Sequence, residues 1–174
     1  MAVITPDTKD WTWVLERRCP ECGFNASSCR AEEVPELLRD NTCRWSSLLA
    51  RGFLTPLRPD DSTWSPLEYA CHVRDVYRRY LGRVELMLAE EDPLFPNCDQ
   101  DASAVEDDYA GQQASVAVGE LVAAGSALAD LLGGLTAGQW ARRGRRSDGA
   151  TFTLDTLSRY MAHDVVHHLL DVTR

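Results

Sequence analysis

At 174 residues, 44% of them hydrophobic, the chain has the size and composition of one globular domain with a sizeable core. Its formal net charge of −9 argues against nucleic acid as a partner, because phosphate contacts need a basic surface. No stretch approaches the roughly 18 apolar residues needed to cross a membrane, and the opening MAVITPDTKDW has neither the apolar run nor the cleavage pattern of a secretory signal.

The first 30 residues read as an irregular leader, with Trp11 and Trp13 ahead of a Cys19-Pro20-Glu21-Cys22-Gly23 knuckle. Such a knuckle is half of a zinc ribbon, but a second C-x-x-C is absent. Cys29 and Cys43 are available to complete a site, at a spacing that matches no zinc pattern. The same pair reads equally as a redox couple or as a tight turn whose cysteines merely pack. A cytoplasmic location is expected, and with it cysteines that are reduced or engaged in metal or redox chemistry.

Four helical blocks follow, in one domain over 31–174. The first, about 31–51, repeats apolar residues at Val34, Leu38, Trp45, Leu48 and Leu49, with Pro35 in its first turn. The second opens on Ser65-Pro66-Leu67-Glu68, a capping box with proline at the first helical position, and runs to about Glu91. A long loop, Asp92 to Tyr109, reads as a lid, a binding segment or a disordered stretch. Residues 84–108 carry nine Asp or Glu and no Lys or Arg, which suits a solvated loop. The third block, about 110–132, is rich in Ala, Val and Leu and ends at Gly133-Gly134. Residues 144–152 read as an irregular turn or short hairpin. The adjoining Arg142, Arg143, Arg145 and Arg146 are candidates to grip a carboxylate of a cofactor or substrate. The fourth block starts after Thr153 as N-cap. The expected fold is all-α, a four-helix bundle with an irregular leader, in which a metal site can be built between facing helices. Its core is expected to hold Trp45, Leu48, Leu49, Val76, Leu128, Leu131, Leu157 and Met161.

The four histidines carry the chemistry. His163 and His167 are four residues apart on the last helix, a spacing that puts two imidazoles on one face for a shared metal ion. His72 lies on the second helix. If the two helices pack together, His72, His163 and His167 converge and leave a coordination position open, the arrangement of a catalytic metal. His168, five residues after His163, is directed away from the pair, to a surface or supporting position. Asp75 and Asp164 are candidates to orient an imidazole from behind, and Tyr160 is a further candidate to reach the pocket, with a place in the core as the favoured alternative.

At EYACHVRDVY, MAHDVVHHLLDV and the four-block layout, the chain resembles the DinB/YfiT-like superfamily over about residues 31–174. The DWTWVLERRCPECGF leader also resembles one found on some DinB-like proteins of mycothiol-producing bacteria. The resemblance implies a metal triad drawn from the second helix and an H-x-x-x-H on the last one. It also implies relatives that include mycothiol-dependent maleylpyruvate isomerases and thiol S-transferases. The sequence ends seven residues after His167, without the isomerases' C-terminal substrate domain, so a thiol S-transferase is the expected activity. Its implied cofactors are a divalent metal, zinc first with nickel or iron as alternatives, and mycothiol. Its implied partners are a low-molecular-weight thiol and a small electrophile, with no nucleic acid and no membrane; a homodimer is left open. Two other readings stand beside it. One is a hydrolase that activates water on the same triad, and the other is a non-catalytic zinc or redox module using Cys19 and Cys22.

Overall fold

The computed structural model describes residues 11–174; the first ten residues of the expected leader lie outside the described residues. Four long helices form the body: α1 (Val34–Ala50), α2 (Pro66–Ala89), α4 (Ala114–Gly133) and α5 (Leu154–Thr173), with a short α3 (Gln100–Glu106) between the second and third of these. α1 buries Val34, Leu38, Asn41, Thr42, Trp45 and Leu48, one stripe at helical period. α2 starts where the sequence places it. The Ser65 hydroxyl accepts from the Glu68 N–H at 3.2 Å, and the Glu68 carboxylate accepts from the Ser65 N–H at 2.8 Å. Arg58 adds a two-pronged ion pair to that buried carboxylate, donating from Nε at 2.9 and 3.1 Å.

By length and hydropathy, α4 is apolar enough to cross a membrane, with a mean hydropathy of 1.5 over its most apolar stretch, contrary to the expectation from sequence. Here it is a core helix, packed on α1 and α2 through Ala117, Val118, Leu121, Leu128, Ala129 and Leu132. Gly125 marks the closest approach. A Cβ there would lie 2.5 Å from Thr42 Cγ2 and 2.9 Å from Tyr77 Cε2. α5 is tied to the same core by a polar pin. Tyr77 donates to Asn41 Oδ1 at 2.8 Å, and Asn41 Nδ2 donates to the Val165 carbonyl of α5 at 2.9 Å. Of the eight expected core residues, six are buried; Leu49 and Leu131 are half-buried at its edge.

The segment between α2 and α4 is ordered rather than a plain loop. β1 (Leu94–Phe95) pairs in parallel with β2 (Arg143–Arg146), and β2 pairs antiparallel with β3 (Thr151–Thr153), with Gly144 opposite Phe152. The expected turn or hairpin at 144–152 is thus a hairpin, closed through Gly149 at φ +97°. α3 is capped by the Asp99 carboxylate, which accepts from the Asp101 and Ala102 N–H groups. Hairpin, segment and leader all gather at one flank of α5.

Candidate metal centre

α5 starts at Thr153, whose hydroxyl accepts from the Thr156 N–H, and it carries two pairs at a spacing of four. His163 with His167 is one; Asp164 with His168 is the other. Offset by one residue, they point about 100° apart around the helix axis. The first pair faces the leader. Donor atoms of Cys19, Cys22, His163 and His167 all lie within 4.8 Å of one another. The second pair faces α2, where donor atoms of Asp164 and His168 meet His72 within the same limit.

The trio that converges is therefore not the expected His72, His163 and His167. α5 presents His72 with the Asp164–His168 pair, while His163 and His167 turn to the cysteines. His168, half-buried, joins the candidate donors instead of facing the surface, and Asp164 lies with it beside His72. The knuckle's complement is likewise found on α5. Cys29 is half-buried beside its own chain and Cys43 is exposed.

His72 is 2% exposed, and neither ring nitrogen has a hydrogen-bond partner among the described residues. Burial lowers its pKa to about 3, so it is a neutral imidazole, the form that ligates metals. The Trp64 ring stands 5.1 Å from it and the His168 ring 4.7 Å, edge-on at 89°. His168 Nε2 is 3.1 Å from Asp164 Oδ1, and Nδ1 is 3.3 Å from Asp171 Oδ2. Burial opposes a charge on His168, but these two carboxylates outweigh it and push its pKa up to about 9. Burial likewise opposes ionisation of Asp164, yet the His168 contact and the surrounding imidazoles hold its carboxyl below the usual range. Two imidazoles and a carboxylate form a donor set for a divalent cation with a position left open. Buried nitrogens without partners are costly unless something binds them, which is the evidence that the residues fit a metal. Asp171 behind His168 supplies the carboxylate that commonly fixes a ligating imidazole's tautomer.

Asp164, His168 and Asp171 lie on the wall of a cavity of about 1360 Å³. Trp64 and Tyr69 flank them. The leader contributes Trp11 and Glu21, the hairpin Arg146 and Phe152, and the segment leading into the first turn of α3 residues 97–101. Tyr160 also lines this cavity, where it accepts from Arg146 Nη1 at 3.4 Å.

The arginine cluster divides. Arg142 donates to the Met87 and Glu90 carbonyls and so closes the end of α2. Arg145 pairs with Asp92 at 3.0 Å, and Arg143 is exposed on β2. Arg146 alone of the four lines the cavity, nine-tenths buried and paired with Asp148 at 2.8 Å. Asp75 does not support His72. It takes two hydrogen bonds from Arg74 and one from the Tyr109 hydroxyl at 2.6 Å, a network between α2 and the turn before α4. Burial pushes the Cys22 thiol up to about 11, opposite to the lowered value that marks a redox couple.

The sequence reading missed the D-x-x-x-H at Asp164–His168. The signal was present, since it has the same spacing as the histidine pair, but one of its members is a carboxylate. It also missed Asp171, one turn beyond His168.

Comparison with known proteins agrees with this architecture. A search of the curated proteins finds no match. Among solved structures, YfiT from Bacillus subtilis is similar. It is described as a probable metal-dependent hydrolase with an unusual four-helix bundle topology. The two superpose with a TM-score of 0.71 at 20% identity, over 83% of this chain and 86% of that one, a likeness of fold. The sequence profile of the DinB superfamily matches residues 30–172, from the start of the first helical block almost to the end of α5. The leader's cysteines fall outside that match, while His72, Asp164 and His168 fall inside it, and the chain belongs to the DinB superfamily.

Proposed function

We propose that this protein is a metal-dependent enzyme that uses His72, Asp164 and His168 to hold a divalent cation and transfers a low-molecular-weight thiol, mycothiol in the first instance, to a small electrophile. The buried, partnerless imidazole of His72 opposite the Asp164–His168 pair carries the reading. Zinc suits two imidazoles and a carboxylate, and nickel or iron would accept the same donors. A bound cation supplies Lewis-acid charge that lowers the pKa of a thiol or water beside it. The chain's own residues do the rest. Asp171 meets His168 at Nδ1 and so directs Nε2 toward Asp164 and His72, where Nε2 would exchange its proton for a bound cation. Trp64 shields His72 from water, which keeps that imidazole neutral. Arg146, held over the Phe152 and Tyr160 rings at 5.6 Å, offers a positive charge to an anionic group. The cavity exceeds the roughly 300–1,000 Å³ of ordinary ligand pockets and suits two reactants, a thiol cofactor and an electrophile.

Hydrolysis is the second reading. A donor set of two histidines and one carboxylate activates water in known hydrolases, and the description of YfiT names that activity for that protein. Calorimetry of the metal-loaded protein with mycothiol decides between them. In the transferase reading the thiol binds, releases a proton near neutral pH because the free thiol's pKa is about 8.5, and loses affinity in His72→Ala. Absence of thiol binding, with turnover of an ester or amide in its place, would give the site to hydrolysis.

A further inference from the structure

We propose that Cys19, Cys22, His163 and His167 form a second metal site, closed and four-coordinate, that takes zinc and staples the leader to α5. The site stands apart from the function proposed for His72, Asp164 and His168 and does not depend on it.

Four donors of the type that structural zinc prefers, two thiols and two imidazoles, lie within 4.8 Å of one another. Around a tetrahedral zinc with bonds of about 2.0–2.3 Å, donor atoms sit about 3.3–3.8 Å apart. The Cys19 Sγ to His167 Nδ1 separation is 3.9 Å, close to one such edge before any ion draws the donors inward. His163 Nε2 is buried and has no hydrogen-bond partner among the described residues. His167 is directional in the same way. Its Nδ1 faces the cysteine, while Nε2 faces the Glu21 and Asp171 carboxylates at 3.6 and 3.8 Å, the side on which a carboxylate supports a ligating imidazole.

The knuckle is also folded for metal. The Gly23 N–H donates to the Cys19 carbonyl at 2.9 Å, the Cys19 N–H donates to the Phe24 carbonyl at 2.9 Å, and Gly23 takes φ +76° to close the turn. With two thiolates and two imidazoles the coordination is complete. That makes the site a structural one, in contrast to the three-donor set one face away on the same helix.

The staple has a consequence for the cavity. Among the described residues, the stretch ahead of α1 has only short 3-10 turns of its own, at Thr12–Leu15 and Ala31–Glu33. The Trp11 ring lies 5.6 Å from His163, tilted, and 5.5 Å from His167, edge-on, and forms one side of the cavity. Fixing the knuckle on α5 therefore fixes that wall.

Cobalt(II) titration of the metal-free full-length protein tests the proposal. Wild type should take up cobalt with thiolate-to-cobalt charge transfer and the intense visible bands of a tetrahedral centre. His72→Ala should keep both features, and Cys19→Ser/Cys22→Ser should lack the charge transfer. Chelation should expose residues 11–30 to protease and zinc should restore protection. Cobalt-loaded wild type without thiolate charge transfer, or a Cys19–Cys22 disulfide in the protein as purified, would overturn the proposal, and neither observation requires a variant to fold.

Discussion

Replacing His72 with leucine should make the metal-free protein more stable. His72 is 2% exposed and holds two ring nitrogens without partners. In the neutral imidazole that burial enforces, one nitrogen is a donor and one an acceptor. A buried polar group left unsatisfied costs about 1–3 kcal/mol, so removing it should recover that amount. Leucine is close in size but not in shape, and the contacts to the Trp64 and His168 rings must readjust, at a cost under about 1.5 kcal/mol for a volume-conserving change. The net expectation in chelator is a gain of about 1 kcal/mol, or about 2–4 °C in Tm for a chain of this length. Zinc should reverse the order. A ligand at 100 times its Kd stabilises the folded state by about 2.7 kcal/mol, and only wild type has the His72 site to fill. Urea denaturation at neutral pH, in chelator and then with zinc, measures both differences. A variant that is less stable than wild type in chelator by about 2 kcal/mol or more, with an unchanged zinc increment, would refute the reasoning. His72 would then be an ordinary core residue whose packing matters more than its nitrogens.

Glu68 should account for part of the acid sensitivity. Burial works against its charge, but Arg58 and the Ser65 N–H hold its folded pKa below the usual value. That stability is present above the unfolded pKa and is lost as pH falls through the folded one; Glu68→Gln should remove about 1.5–3 kcal/mol at pH 7 and flatten the acid limb. An acid limb as steep as wild type's would contradict this. Gly125→Ala should destabilise by about 1–2 kcal/mol, because the clash with Thr42 and the pinned Tyr77 ring exceeds the roughly 1 kcal/mol gain in helix propensity; a more stable variant would show that α4 can move off α1 and α2. In turnover assays Arg146→Glu should raise KM for an anionic substrate at least tenfold, while Arg143→Glu, exposed on the same strand, should change little. Equal effects would indicate general electrostatics rather than a contact in the cavity.

Much of the bundle is legible in the sequence because local rules and tertiary packing agree there. The Ser65–Glu68 capping box, Thr153 and the apolar stripe of α1 each specify one outcome. The site is only half legible. Spacing identifies which side chains of α5 share a face, but not toward which neighbour that face turns. His163–His167 and Asp164–His168 are equally good pairs, and the choice of partner depends on the rotation of α5 against α2 and the leader. The cysteines mislead for a related reason. Their complement lies some 140 residues away on another element, so no local motif announces it. The arginine cluster also depends on strand pleat, which sends alternate residues of β2 to opposite faces and leaves Arg146 alone on the cavity.

The position of the metal is the direct test of the central claim. Crystals of zinc-loaded protein, measured at the zinc absorption edge, should show an anomalous peak between His72, Asp164 and His168, bordering the cavity. The peak should vanish in His72→Ala, whatever occupies the site at Cys19 and Cys22. A peak joining His72 to His163 and His167, or no peak against His72 at full zinc loading, would contradict the account.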